Sequence, residues 1–231
     1  MGLKESGLRG SLRNVSVSID AIPDSAVGQN TDAFYRFDDD DTTATLTDLE
    51  GNHDGSIDDM DYVTDDDVNR VVGQFDISTS QAVSGFAWDS LSEFSIGIVL
   101  KTFDAQTRQT PFSMRDNNEI DIDIDDGDYN SNGPSPEGLM SVPDSVKENS
   151  WQSIVWGWDG ESHRLSVDDP SNDDTIDGSS LETDGRSDTV GLRGRNDLPF
   201  GGRVLHLELS FTYEGSDFHN DFHDAFEVIR D

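Results

Sequence analysis

The run Glu119-Ile120-Asp121-Ile122-Asp123 sets three carboxylates at every second position. On an extended strand successive side chains alternate between faces, so Glu119, Asp121 and Asp123 fall on one side. A retaining glycosidase uses two carboxylates about 5 Å apart, one as nucleophile and one as acid/base. A plainer account competes with this one. In an Asp-rich chain the same alternation describes a strand with Ile120, Ile122 and Ile124 in the core and Asp121, Asp123 and Asp125 in water. We take the plainer account, and the chain is read as a binding protein and not an enzyme.

The next run, Asp125-Asp126-Gly127-Asp128-Tyr129-Asn130, gathers hard oxygen donors around a glycine, which suits Ca²⁺. Asp125, Asp126 and Asp128 are the expected ligands, with Asp38 to Asp41 and Asp65 to Asp67 as alternatives. The five histidines form no zinc pattern. His219 and His223 share the i, i+4 spacing of one helix face, but no H-E-x-x-H motif surrounds them. No Ser-His-Asp arrangement or phosphate-binding loop stands out. Five aromatic rings could stack on sugars: Trp88, Tyr129, Trp151, Trp156 and Trp158. Trp156 and Trp158 share a strand face and are assigned to the core, as is Trp151. Trp88 and Tyr129 lie in or near expected loops and are assigned to a ligand-binding face.

The elements that must position these groups read as β. Ala33 to Phe37 is a short strand, and Thr42 to Leu49 leads into the glycine turn Glu50-Gly51-Asn52-His53-Asp54-Gly55. Asn69 to Ile77 and Phe94 to Phe103 are strands, and Ser95 to Leu100 is apolar enough for burial on both faces. Residues 130–138 read as a surface loop. Trp151 to Trp158, the Asp159-Gly160 turn and His163 to Val167 form a hairpin. A polar loop is expected over 168–184, a strand over Val204 to Phe211, and one short helix over Asp221 to Val228. Many short strands with glycine turns predict an all-β, antiparallel two-sheet jelly-roll sandwich. We place it at residues 31–231, after an extended N-terminal arm at 1–30.

The chain has 231 residues, enough for one β domain with a full core. Acidic residues outnumber basic ones 49 to 15, for a net charge of −34. Lys4, Lys101 and Lys147 are its lysines. Such self-repulsion strains a compact fold at ordinary ionic strength, and above molar salt the screening length shrinks to about 3 Å. The balance predicts adaptation to high salt. No basic stripe is present for nucleic acid. There is no cysteine, so no disulfide is available. No apolar run approaches the ~20 residues of a membrane span.

The order of segments resembles the laminin-G-like, concanavalin-A-like lectin/glucanase superfamily over about residues 33–228. Phe34-Tyr35-Arg36-Phe37-Asp38 is similar to its opening strand. Asp48-Leu49-Glu50-Gly51-Asn52-His53-Asp54-Gly55-Ser56-Ile57 resembles its "D-x-x-G-N-x-x-G-x-I" turn. Trp151 to Gly160 with Leu165-Ser166-Val167-Asp168 resembles its tryptophan hairpin. Phe200-Gly201-Gly202 through Phe211 is similar to its closing strand, and Asp224-Ala225-Phe226 to its short ending. Asp169-Pro170 departs from the pattern, where the family carries Gly. The resemblance implies a sandwich, a rim calcium and glycan recognition. It also sharpens the rival reading, because Glu119, Asp121 and Asp123 resemble the "E-x-D-x-E" strand of family-16 glucanases. Asp123 stands where those enzymes carry a Glu acid/base.

Residues 1–13 are net positive, with Lys4, Arg9 and Arg13 against Glu5, on an acidic body. Leu3, Leu8 and Leu12 fall at near-helical spacing, although Gly7 and Gly10 weaken any helix. Leu3, Leu8, Arg9, Leu12 and Arg13 are expected to dock on a partner. The arm resembles the starts of virion proteins of haloarchaeal tailed viruses. That likeness implies a homo-oligomeric surface component of the particle, such as a capsid turret, decoration or tail-fibre protein. Its partners would be other virion proteins and a host surface glycan or glycoprotein.

Overall fold

The computed structural model describes residues 22–37, 45–51, 53–78, 82–84, 92–115, 120–132, 139–177, 187–190 and 198–229. Its strands, in chain order, are β1 (Ala33–Arg36), β2 (Thr45–Leu46), β3 (Gly55–Asp58), β4 (Asp61–Asp65), β5 (Arg70–Phe75), β6 (Ala82–Ser84), β7 (Phe94–Thr102) and β8 (Gln109–Arg115). They continue as β9 (Ile120–Asp125), β10 (Asp128–Asn132), β11 (Leu139–Val142), β12 (Gln152–Trp158), β13 (Ser162–Val167), β14 (Asp169–Asp177), β15 (Ser187–Val190) and β16 (Gly202–Ser210). A helix, α1 (Ser216–Ala225), and a 3-10 turn, Glu227–Ile229, follow.

The first sheet runs β14-β13-β12-β7-β16-β5-β4, and β1 also pairs with β16. The second runs β11-β10-β9-β8-β15-β6-β3-β2. The pairs are antiparallel, as hairpin-connected strands allow. The expected two-sheet sandwich is therefore the observed fold. Strand β16 divides one edge between two partners: Gly202 to Val204 pair with β5, and His206 to Leu209 with β1. An irregularity between Val204 and His206 accommodates the change.

The inner faces make the main core. Ile96, Ile98 and Leu100 of β7, Ile120, Ile122 and Ile124 of β9, and Ile154 and Trp156 of β12 belong to one buried cluster. Phe94 meets Trp156 edge-on with ring centroids 5.2 Å apart. A second cluster lies on the other face of the first sheet. There Val99, Val155 and Leu205 pack under Phe218, Phe222, Phe226 and Ile229. This second layer explains why β7 and β12 are buried along their whole length.

Two glycines set the closeness of the helix to the sheet. A Cβ on Gly97 would lie 2.4 Å from the Phe222 ring, and one on Gly157 would lie 2.7 Å from Tyr213. Residues Phe218, His219, Phe222 and His223 form the buried stripe of α1. The helix starts five residues before the expected Asp221, directly after Gly215 at φ 85°.

The chain before β1 joins the domain earlier than expected. Ile22 is buried in the second cluster. Glu208 accepts hydrogen bonds from the Val27 and Gly28 N–H groups at 2.6 and 3.0 Å. Glu214 does the same for Gln29 and Asn30 at 3.2 and 2.7 Å. Residues 22–30 thus belong to the sandwich, whereas the docking residues Leu3, Leu8, Arg9, Leu12 and Arg13 lie outside the described residues.

The expected polar loop over 168–184 is, through Asp177, the edge strand β14. Its side chains are mostly exposed, so it carries no alternating apolar signal. Pro170 is tolerated there because an edge strand leaves one row of backbone groups unpaired. Asp168, just before the strand, takes the left-handed conformation at φ 62°. The loop expected over 130–138 is likewise shorter, since β10 continues to Asn132.

Candidate functional site

The outer faces of the two sheets differ in kind. That of the first sheet is closed by α1, the 3-10 turn and the segment from Ile22. That of the second sheet carries polar side chains on β8, β9 and β10. Ladder register puts Ser113 opposite Asp121, and Asn130 opposite Asp123. Arg108, just before β8, donates to Asp123 at 2.8 Å, and Thr110 Oγ1 donates to the same carboxylate at 2.5 Å. The irregularity between Gln109 and Phe112 lets Thr110 reach Asp123 while Gln109 turns inward to hold the Gly201 N–H.

This face is deeper than the sequence suggests. Asp121 and Asp123 are 0% and 2% exposed, so the wet acidic face expected for β9 is confined to Asp125. Thr110 and Ser113 are also buried, and Ser113 Oγ has no hydrogen-bond partner. Arg108 is 43% exposed and forms the accessible rim with Asp125, Asp128 and Ser141. The arrangement can accept hydrogen bonds through carboxylates and exchange them through hydroxyl and amide groups. Glu119, the third carboxylate of the catalytic rival, lies outside the described residues, as does Trp88.

Tyr129 is not a ligand-face residue. It points into the core from β10, is fully buried, and donates its hydroxyl to Gln152 Oε1 at 3.3 Å. Burial, with the charge of Asp168 adding to it, pushes its phenol well above the ordinary range. Trp151, Trp156 and Trp158 are core residues, as expected. Trp151 donates its indole N–H to Asp65 at 3.3 Å, a carboxylate also bonded by Lys101 and Arg203. Burial alone would raise the Asp65 carboxyl, but the Arg203 and Lys101 hydrogen bonds outweigh it and hold it low.

The calcium candidates Asp125, Asp126 and Asp128 sit on and beside one tight hairpin turn. Asp126 and Gly127 are the two left-handed residues of the β9–β10 hairpin, with φ 52° and 91°. Asp128 instead accepts the Asp144 N–H at 2.8 Å, which ties the turn after β11 to β10. Among the described residues no group of three or more Asp, Glu or His is placed to hold a metal ion. The alternative candidates Asp38 to Asp41 lie outside the described residues.

Two of the resemblance motifs prove to be turn-forming devices. Buried Asp48 accepts the N–H groups of Phe34, Glu50 and His53 at 2.9 to 3.0 Å, fastening the glycine turn to β1. Asp168 accepts from Ser153 N–H, Gln152 Nε2 and Lys147 Nζ, each at 3.0 Å.

A cleft of about 260 Å³ opens beside Asp168, between Lys147, Pro170, His223, Asp224 and Glu227. At its base His223 contacts Ser153 Oγ through Nδ1 at 2.7 Å and Ser166 Oγ through Nε2 at 2.8 Å. Ser166 Oγ also meets His219 Nδ1 at 2.6 Å. Burial, with Arg164 and His223 adding to it, lowers His219 to a pKa of about 3, so it packs uncharged. Ser153 and Ser166 are wholly buried, so neither presents a nucleophile to a substrate. The i, i+4 histidine spacing thus serves helix packing.

No family model matches the chain, and no curated protein matches it. Solved structures do. Domain 4 of AbnA, a GH43 extracellular arabinanase from Geobacillus stearothermophilus solved with arabinotriose, aligns with a TM-score of 0.65 at 15% identity, over 84% of this chain and 98% of that one. The receptor-binding domain of botulinum neurotoxin type G aligns at 0.62 and 11% identity, over 84% of this chain and 51% of that one. The CBM40 of a Ruminococcus gnavus IT-sialidase, bound to α2,6-sialyllactose, aligns at 0.50 and 15% identity, over 58% and 84%. The shared feature is the fold, an antiparallel two-sheet β-sandwich. Among the described residues no helix is long and apolar enough to cross a membrane.

Proposed function

We propose that this protein is a non-catalytic glycan-binding module that uses the outer face of its second sheet. One observation carries the reading: α1 and the Ile22 segment close the outer face of the first sheet, while the rim of the second carries exposed Arg108 and half-buried Ser141, with buried Asp123 and Asn130 in register behind them. Structural neighbours solved with arabinotriose and sialyllactose support it. The burial of Asp121, and the Arg108 and Thr110 bonds on Asp123, favour binding over hydrolysis. The test is a glycan array followed by calorimetry on any hit. Arg108→Ala and Asn130→Ala should each weaken binding about tenfold or more, the loss of one charge-assisted or well-placed hydrogen bond. Unchanged affinity in both variants sinks the assignment. Turnover of a β-glucan that disappears in Glu119→Gln would restore the glycosidase reading.

The wider setting we propose is the surface of a haloarchaeal virus particle, with the basic arm as anchor and a host envelope glycan or glycoprotein as target. The acidic composition and the leucines and arginines of residues 1–13 support it. In molar salt charge acts only over about 3 Å, so Leu3, Leu8 and Leu12 should dominate, each contributing roughly 1.5–3 kcal/mol if fully buried. Arg9 and Arg13 would add direct hydrogen bonds. Deleting residues 2–13 should leave the sandwich folded and abolish incorporation into the particle. Normal incorporation of the deleted protein would remove the arm from this role.

A further inference from the structure

Two imidazoles and two hydroxyls join α1 to the first sheet. Ser153 Oγ meets His223 Nδ1, and Ser166 Oγ meets both His223 Nε2 and His219 Nδ1, at 2.6 to 2.8 Å. All four side chains are buried. Ser166 has one hydroxyl proton and faces two ring nitrogens, so it donates to one and accepts from the other. At the end of this chain His219 Nε2 has no hydrogen-bond partner. A Cβ on Gly157 would lie 3.2 Å from that nitrogen and 2.7 Å from the Tyr213 ring, so Nε2 abuts the backbone of β12 beside an aromatic edge.

A second proton on His219 meets no acceptor and no anion while the helix is docked. Its neighbours one turn away on α1 are Gly215, Ser216, Phe222 and His223, none of them acidic. From β13 the charged group beside it is Arg164, a like charge, and Asp173 of β14 is engaged by that guanidinium at 2.8 Å. Tyr213, whose phenol is pushed up by burial and by Asp159, adds no charge. Ser153, Val155 and Gly157 of β12 add none either. The carboxylates of Asp168, Asp169, Asp224 and Glu227, with Lys147, line the cleft at His223, a turn further along the helix. In keeping with this geometry, burial, with Arg164 and His223 adding to it, lowers His219 to about 3.

We infer that α1 is an acid-released cover: a proton taken up by His219 is accommodated by lifting the helix from the first sheet, which bares Val99, Val155 and Leu205 while the two sheets stay packed. The device does not depend on a ligand at the second sheet. Once released, His219 titrates near 6.5. The released state therefore binds the extra proton, and the release equilibrium gains about tenfold per pH unit on going from about 6.5 toward 3.

The experiment is hydrogen exchange by NMR on the full chain in molar KCl at pH 7 and pH 5, with protection corrected for the intrinsic pH dependence of exchange. Protection across Ser216–Ala225 should fall about twentyfold or more between the two, while β7 and β12 stay better protected than the helix at both. In His219→Gln the loss in α1 should be severalfold smaller. Equal protection of helix and strands at both pH values overturns the inference, as does an undiminished loss in the variant. Should His219→Gln fail to fold, the ring ¹⁵N shifts of His219 in the unaltered protein decide. They should remain those of a neutral imidazole as long as the helix amides are protected. A ring that gains its proton near pH 6.5 with α1 still protected overturns the inference.

Discussion

Single residues here do their work through carboxylates that have been taken out of water. Asp65 is the clearest case, with Lys101, Arg203 and the Trp151 indole all directed at one buried group. Removing it leaves the partly buried Arg203 guanidinium without its anion and the nearly buried Lys101 ammonium with Asp67 alone. Asp65→Ala should therefore lower unfolding free energy by about 3–5 kcal/mol. Asp125→Ala, at an exposed position, should stay within about 0.5 kcal/mol. Denaturant titration at fixed salt compares the two. The histidines give a pH dependence of definite sign. His219 is lowered to about 3 by burial, with Arg164 and His223 adding to it. His163 is lowered to about 4 by burial, against the pull of Asp159. Unfolded, both titrate near 6.5. The unfolded chain thus binds more protons between these values, and stability falls as pH drops from about 6.5 toward 4 and 3. Thermal midpoints at constant molar salt should decline from pH 7 to pH 4.5, and less so in a His219→Gln variant. A midpoint flat over that range contradicts the burial of both rings.

At the scale of elements, the helix is the part held by closest approach. Gly97 and Gly157 face it, and a methyl group at Gly97 would overlap the Phe222 ring. Gly97→Ala should destabilise by about 1–3 kcal/mol through overpacking. It should also raise hydrogen exchange selectively in Ser216–Ala225 if the helix lifts away before the sheets open. Uniform exchange across strands and helix would mean that α1 is no separate unit. The two glutamate clasps at 27–30 are a further element-level device. Four consecutive N–H groups, from Val27 to Asn30, are each held by a carboxylate of β16 or the segment after it. This ties the entry of the chain to its last strand.

The chain as a whole carries −34. Its mutual repulsion acts on every element at once. The thermal midpoint should rise steeply as KCl goes from ~0.1 M to above ~1 M, because screening shortens the range of repulsion to a few ångströms. A midpoint independent of salt would show that surface charge does not limit this fold.

Much of this architecture was legible in the chain itself. Alternation in Ile120-Asp121-Ile122-Asp123-Ile124 named a strand and its inner face, because a period of two has one physical meaning in a sandwich. The unbroken apolar run at Ser95 to Leu100 likewise announced burial on both sides. The Asp159-Gly160 pair marked a hairpin, since Gly160 takes a backbone conformation, φ 91°, that glycine tolerates. What alternation leaves open is what lies over the second face. Nothing local to β9 says that Asp121 and Asp123 are buried, or that Arg108 and Thr110 reach Asp123. Tyr129 misled for the same reason: its neighbours Asp128 and Asn130 are polar, yet its own side of β10 is the core. Strand β14 was invisible because an edge strand buries little and needs no apolar rhythm. Local periodicity determined the strands and their inward faces. Which polar groups meet, and which outer face the helix covers, was decided by contacts between residues as far apart as Val27 and Glu208, and those exist only once the sheets have packed.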